Sequence, residues 1–116
     1  MDLKTQTKKI INDVEHFKKQ FNHNKPPENV KDRDFFHFVK EETQPIYELI
    51  ELWEQTALEA VKSRQVNVHP NQVTSTKENI ELLLMHSYYH DVRQRRYMEL
   101  YKSILYVCNQ VLRDLE

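Results

Sequence analysis

The sequence predicts an all-α protein, an antiparallel up-down-up-down four-helix bundle, and three observations predict it. No glycine occurs in 116 residues, where average usage is about 7%. Tight hairpin turns of types I′ and II′ lean on glycine for positive φ, so a β-sandwich or barrel is excluded, as is a glycine-rich phosphate loop. Apolar residues recur at alternating spacings of three and four, the period of an amphipathic helix. Lastly, 39% hydrophobic and 30% charged residues suit helices with one wet face rather than a disordered chain. The length makes one domain, spanning 1–116, with enough chain for a core that needs neither metal nor disulfide.

The first helix is expected from about Leu3 to Phe21. Leu3, Ile10, Val14, Phe17 and Phe21, with Thr7 filling the missing step, wind one stripe and leave Lys4, Lys8, Lys18 and Lys19 in water. Residues 22–30, NHNKPPENV, make a turn, because Pro26 and Pro27 lack the amide hydrogens a helix needs.

The second helix starts at Asp32 or Asp34, either able to cap the first turn, and runs to Ser63 or Arg64. Its buried side runs from Phe35 and Val39 through Ile50 and Trp53 to Val61. Pro45 deletes one backbone hydrogen bond inside this helix, so a kink is expected around 41–45. The stripe keeps its phase across the proline, which argues against a full break.

Residues 65–74, QVNVHPNQVT, read as a loop whose three valines cover the open end of the bundle. Ser75 with Glu78 matches a capping box that would open the third helix. That helix continues through Ile80, Leu83, Leu84 and Ser87. The last begins between Tyr89 and Gln94, with Asp91 and Gln94 as a weaker capping box, and carries Tyr97, Tyr101, Ile104, Cys108, Val111 and Leu115. One helix from 76 to 115 would be about 60 Å long with no partner to cover it. A turn near Tyr89–Val92 is therefore favoured. The four helices are expected near 3–22, 32–64, 76–90 and 92–115.

Charge narrows the function classes. Seventeen Lys and Arg against eighteen Asp and Glu leave a net charge of −1, which draws the chain neither to nucleic acid nor to an anionic membrane. The amino terminus, MDLKTQTKKI, has no apolar run, and no stretch approaches the ~18 apolar residues of a membrane span. A cytoplasmic location is expected. Cys108 is the one cysteine, which excludes an internal disulfide or a thiolate metal site; on the buried stripe it reads as a small core residue.

His86 and His90, four apart, would share a helix face as a metal site requires, and His37 with Glu41 is the comparable pair on the second helix. The core stripe puts the two histidines at a helix–helix boundary instead. There, hydrogen bonds to a neighbouring carboxylate or tyrosine are the favoured reading, and the four side chains are not expected to converge on one ion. Arg93, Arg95 and Arg96 lie among Tyr88, Tyr89 and Tyr97, but three arginines are a small footprint for nucleic acid; pairing with Asp91 and Glu99 and stacking on the tyrosines is favoured. Phe35 and Phe38 share one side of the second helix, whereas Phe36 points off the stripe, as an exposed partner-binding aromatic would.

No Ser–His–Asp order, carboxylate pair or nucleotide motif stands out, so an enzyme is not the favoured class. The favoured reading is a non-enzymatic protein-interaction module without a cofactor, using spare aromatics at Phe36, Tyr89 and Tyr106 and the arginines at 93, 95 and 96. The alternative is a metal-dependent four-helix-bundle enzyme using helix-borne histidines.

Residues 69–107, HPNQVTSTKENIELLLMHSYYHDVRQRRYMELYKSILYV, resemble the YppE-like family of small proteins from Bacillus-type bacteria. The resemblance extends more loosely over the first two helices, including DFFHFVKEETQPIYELIELWEQTA. It implies a chain of about this length folded as a four-helix bundle. The family's function is unassigned, so it implies no catalytic residue.

Overall fold

A computed structural model describes residues 1–23, 28–29 and 31–116. Four α-helices follow in chain order: α1 over Leu3–His23, α2 over Arg33–Lys62, α3 over Pro70–Tyr89 and α4 over Gln94–Asp114. They take up 83% of the described residues, with no strand among them, which is the all-α class the sequence predicts. The Pro26–Pro27 turn lies outside the described residues.

The helix ends follow from local chemistry. Asp2 Oδ1 accepts the Thr5 amide at 2.8 Å, and that backbone hydrogen bond pulls the Asp2 carboxyl below its ordinary range. At α2 the cap is Asp32, which accepts from the amides of Asp34 and Phe35. The helix then continues without interruption through Pro45. At its far end Arg64 takes the left-handed conformation, φ 64°, while the amides of Gln65 and Val66 fold back on the Ala60 carbonyl. Glycine would be the usual occupant of that position; this chain has none.

The third helix departs from expectation. It begins at Pro70, six residues before the predicted start, so Ser75 and Glu78 are interior positions rather than a capping box. The cap is His69: its Nδ1 accepts the Asn71 amide at 3.0 Å, while Gln72 Oε1 accepts the His69 amide at 2.8 Å. Pro70 supplies a first helical residue with φ already set and no amide to satisfy. Val73 is therefore a buried helix residue, whereas Val66 and Val68 are buried in the connection. The second expected capping box is also absent. Arg93 occupies the N-cap of α4 with no side-chain cap, since a guanidinium has no acceptor to offer, and Asp91 pairs with His86 instead.

Helices α1 and α3 pack across the middle of the bundle. Among the described residues α2 and α4 each touch both of them but not each other. The pairs across these seams run in opposite order. Phe35 meets Tyr89 and Glu54 meets Lys77 between α2 and α3; Glu15 meets Tyr101 and Phe21 meets Tyr97 between α1 and α4. The core contains the predicted α1 stripe from Leu3 through Thr7 to Phe17, with Phe21 half-buried against it, together with Trp53, Ile80, Leu83, Leu84, Tyr97 and Ile104. Cys108 is in it as well, and burial pushes its thiol up to about 12. Lys18 is a correction to the wet face of α1. Its stem crosses the Tyr101 ring, with Nζ 4.6 Å from the centroid, and its ammonium reaches Glu15.

Candidate functional site

One end of the bundle gathers the aromatic and histidine residues singled out in the sequence. Phe17 and Phe38 pack against Tyr88, and Phe35 meets Tyr89 edge-on at 5.3 Å. Phe21 is stacked between His90 and Tyr97, at 4.8 and 3.8 Å between centroids. His90 does not share a helical face with His86, which corrects the premise of the expected pair. It lies one residue past the end of α3, with φ 53° and its amide on the His86 carbonyl. Without a glycine, a histidine takes the left-handed position that ends the helix.

His86 Nδ1 lies 2.6 Å from Asp91 Oδ1, the neighbouring carboxylate the boundary reading called for. His90 Nε2 is buried without a hydrogen-bond partner, and burial pulls its imidazole below the usual range. His37 is exposed on α2, with its ring edge-on to Phe36, and Glu41 is exposed one turn further on. Among the described residues no three His, Cys, Asp or Glu side chains form a group able to hold a metal ion. The arginines divide as follows: Arg95 and Arg96 both pair with Glu99 at 3.6 Å, Arg93 caps α4 through its backbone, and Asp91 goes to His86 rather than to an arginine. These arginine pairs are exposed and add little to stability.

The face between α2 and α3 carries a different kind of feature. Phe36 is 53% exposed and Leu82 45% exposed, and between them two hollows of 310 and 410 Å³ share Tyr47 and Met85 as a common wall. Val39 and Thr43 floor the hollow nearest Phe36; Glu78 and Glu81 close the other. Half-burial, and then the carboxylate of Glu81, hold the Tyr47 phenol above its ordinary range, so it faces the hollow neutral. Between α3 and α4 lies a larger groove of 500 Å³, with Asn71, Gln72, Ser75, Asn79, Lys102 and an exposed Tyr106 along it. That groove has apolar surface as well, from Tyr106, 64% exposed, and Val107. The α2–α3 face leaves a run of apolar surface in solvent, from Phe36 through Tyr47 and Met85 to Leu82.

A family model described as a bacterial domain of unknown function, DUF1798, matches residues 7–115. The chain belongs to that family. It is 33% identical over 79 residues to a protein of Bacillus subtilis (strain 168) described as uncharacterized protein YppE; the match covers 67% of this chain and 64% of that relative's length. The X-ray crystal structure of yppE from Bacillus subtilis superposes with a TM-score of 0.84 at 27% identity, over 97% of this chain and 91% of that one. Its solution NMR structure gives 0.79 at 23%, with the same coverage, and bears on the fold alone. The YppE-like resemblance read from residues 69–107 is thus correct. The DUF1798 match assigns no activity to any side chain. No described helix is long and apolar enough to cross a membrane.

Tyr47, Leu82 and Met85 are missing from the candidates read in the sequence, yet a signal for them is present. Residues 82–85 read LLLM, and four consecutive apolar residues cannot all face one side of a helix. With Leu83 and Leu84 in the core, Leu82 and Met85 are turned to its flanks. On α2, Phe36, Val39, Thr43 and Tyr47 form a second stripe at spacings of three and four, beside the main one.

Proposed function

We propose that this protein is a non-enzymatic binding module of the cytoplasm whose working surface is the α2–α3 face around Phe36, Tyr47, Leu82 and Met85. One observation carries the reading. Phe36 and Leu82 stand in solvent beside a core that closes without them, with Ile50, Trp53, Leu83 and Leu84 fully buried beneath. Exposed apolar surface in a contiguous run costs solubility and is retained where a partner covers it. Tyr89 meets Phe35 beside the Phe36 end of α2, and Arg93, Arg95 and Arg96 follow it across the α3–α4 turn as a candidate extension of the surface.

The test is quantitative capture from the native host with immobilised wild type, Phe36→Ser/Leu82→Ser and a control altered at exposed Asn109 on α4. The wild type and control should retain the same specific protein. The double variant should lose it while unfolding at the same urea concentration. Equal recovery on all three would contradict the proposal.

A further inference from the structure

We infer that the occupant of the α2–α3 face is an amphipathic helix of about four turns on a partner protein, basic at one end and carrying two apolar anchors. The inference rests on the reading of that face as the working surface and adds the chemistry of what it takes.

Length comes first. The lined surface runs along α2 from Phe36 to Glu51, fifteen helical steps or about 22 Å. Its floor is formed by two helices whose backbone hydrogen bonds run within each helix, the one deleted by Pro45 excepted, so no strand edge is offered to an extended peptide. A third helix, laying side chains between those of α2 and α3, is the geometry that fits. On α2 the lining of the first hollow centres near Glu41–Glu42 and that of the second on Tyr47, about 8 Å apart. That is about one and a half turns, spanned by apolar anchors within an i, i+3, i+7 set on the incoming helix.

Charge supplies the polarity. Glu51, Glu78 and Glu81 surround the end remote from Phe36, and none has an ion-pair partner among the described residues. Lys77, the cation nearest them, is held by Glu54 at 3.8 Å. At the Phe36 end the charge on the lining is Lys40. A helix with lysine or arginine at one end meets three free carboxylates there, and an acidic residue at its other end would meet Lys40. A second copy of this chain fits less well: a two-fold would set a single Lys40 against the three carboxylates of the other face, which leaves an excess of negative charge between them.

The experiment titrates ¹⁵N-labelled protein with two synthetic 18-residue helical peptides. Both carry leucines at i, i+3, i+7 and i+11; one has four lysines towards one end, and the other has glutamates at those four positions. The lysine peptide should move the amides of α2 between 36 and 51 and of α3 between 78 and 85, and bind about tenfold tighter than the glutamate peptide. Added salt should erase much of that difference, and Glu78→Lys/Glu81→Lys should reverse it. Equal binding of both peptides at these amides would overturn the charge inference and leave the face itself as the working surface. No shift with either peptide at millimolar concentration would overturn both. Concentration-dependent shifts at the same amides without peptide would make a second copy the occupant and overturn the inference.

Discussion

The indole nitrogen of Trp53 donates to the hydroxyl of Thr7, 3.0 Å away and 46 residues earlier in the chain. The Thr7 hydroxyl spends its own proton on the Leu3 carbonyl at 2.7 Å, which leaves its lone pairs for the indole. Both side chains are fully buried, so this one oxygen satisfies the polar edge of the largest residue in the core. Thr7→Val keeps the shape and strands the indole N–H. The expected loss is about 1–3 kcal/mol, read from urea unfolding. Thr7→Ser keeps the oxygen and should lose about 1 kcal/mol, for a methyl group alone. No loss in Thr7→Val would mean that the hydrogen bond contributes nothing.

Ser87 and Tyr97 form the corresponding pair between α3 and α4, oxygen to oxygen at 2.6 Å and buried. Ser87 donates to the Leu83 carbonyl, so Tyr97 is the donor between them. Burial pushes the Tyr97 phenol up to about 12, only partly offset by Ser87. The two deletions should therefore be unequal. Ser87→Ala leaves a phenol buried without a partner and is expected to cost about 1–3 kcal/mol, whereas Tyr97→Phe leaves Ser87 still bonded to Leu83 and should cost less than about 1 kcal/mol. Denaturant midpoints of the two variants decide it.

The start of α3 is tested at its cap. His69→Ala and Gln72→Ala each remove one half of the reciprocal bond and should destabilise by about 0.5–2 kcal/mol. Ser75→Ala, at the site of the capping box the sequence suggests, should change stability by less than about 0.5 kcal/mol. The opposite ranking in urea would place the helix start at 76.

His90 makes stability depend on pH. Burial, the larger influence, depresses its folded-state value below 6.5, and Asp91 opposes that only in part. Below pH 6.5 the unfolded chain takes up the proton before the folded one does, so stability present at neutral pH is lost as pH falls through the folded value. His90→Asn suits the left-handed backbone and has no proton to bind. The wild type should lose stability relative to this variant between pH 7 and pH 5, and parallel curves would show that His90 is not the group responsible.

How much of this was legible in the sequence differs from element to element. The stripes of α1 and α4 announced themselves because each is wet on one face, and even Thr7 was readable as a core position from its register. The start of α3 was not, because His69–Pro70 resembles a loop until the histidine is recognised as a side-chain acceptor. The Phe36 end of the candidate site was visible as an aromatic off the stripe. Its other wall stood in LLLM: the register that puts Leu83 and Leu84 in the core leaves Leu82 outside it, but a leucine on a flank does not by itself mark a binding surface. His90 was misplaced for a related reason: without glycine nothing marked Tyr89 as the last helical residue.

The central claim, that the α2–α3 face is covered by a partner protein, is tested most directly by a photo-crosslinking amino acid at position 36 in the native host. The expected result is one dominant adduct on irradiation, absent when the same probe stands at exposed Asn109 and lost on adding Met85→Lys. An equal set of adducts from both positions, or none at position 36 in folded protein, would contradict it.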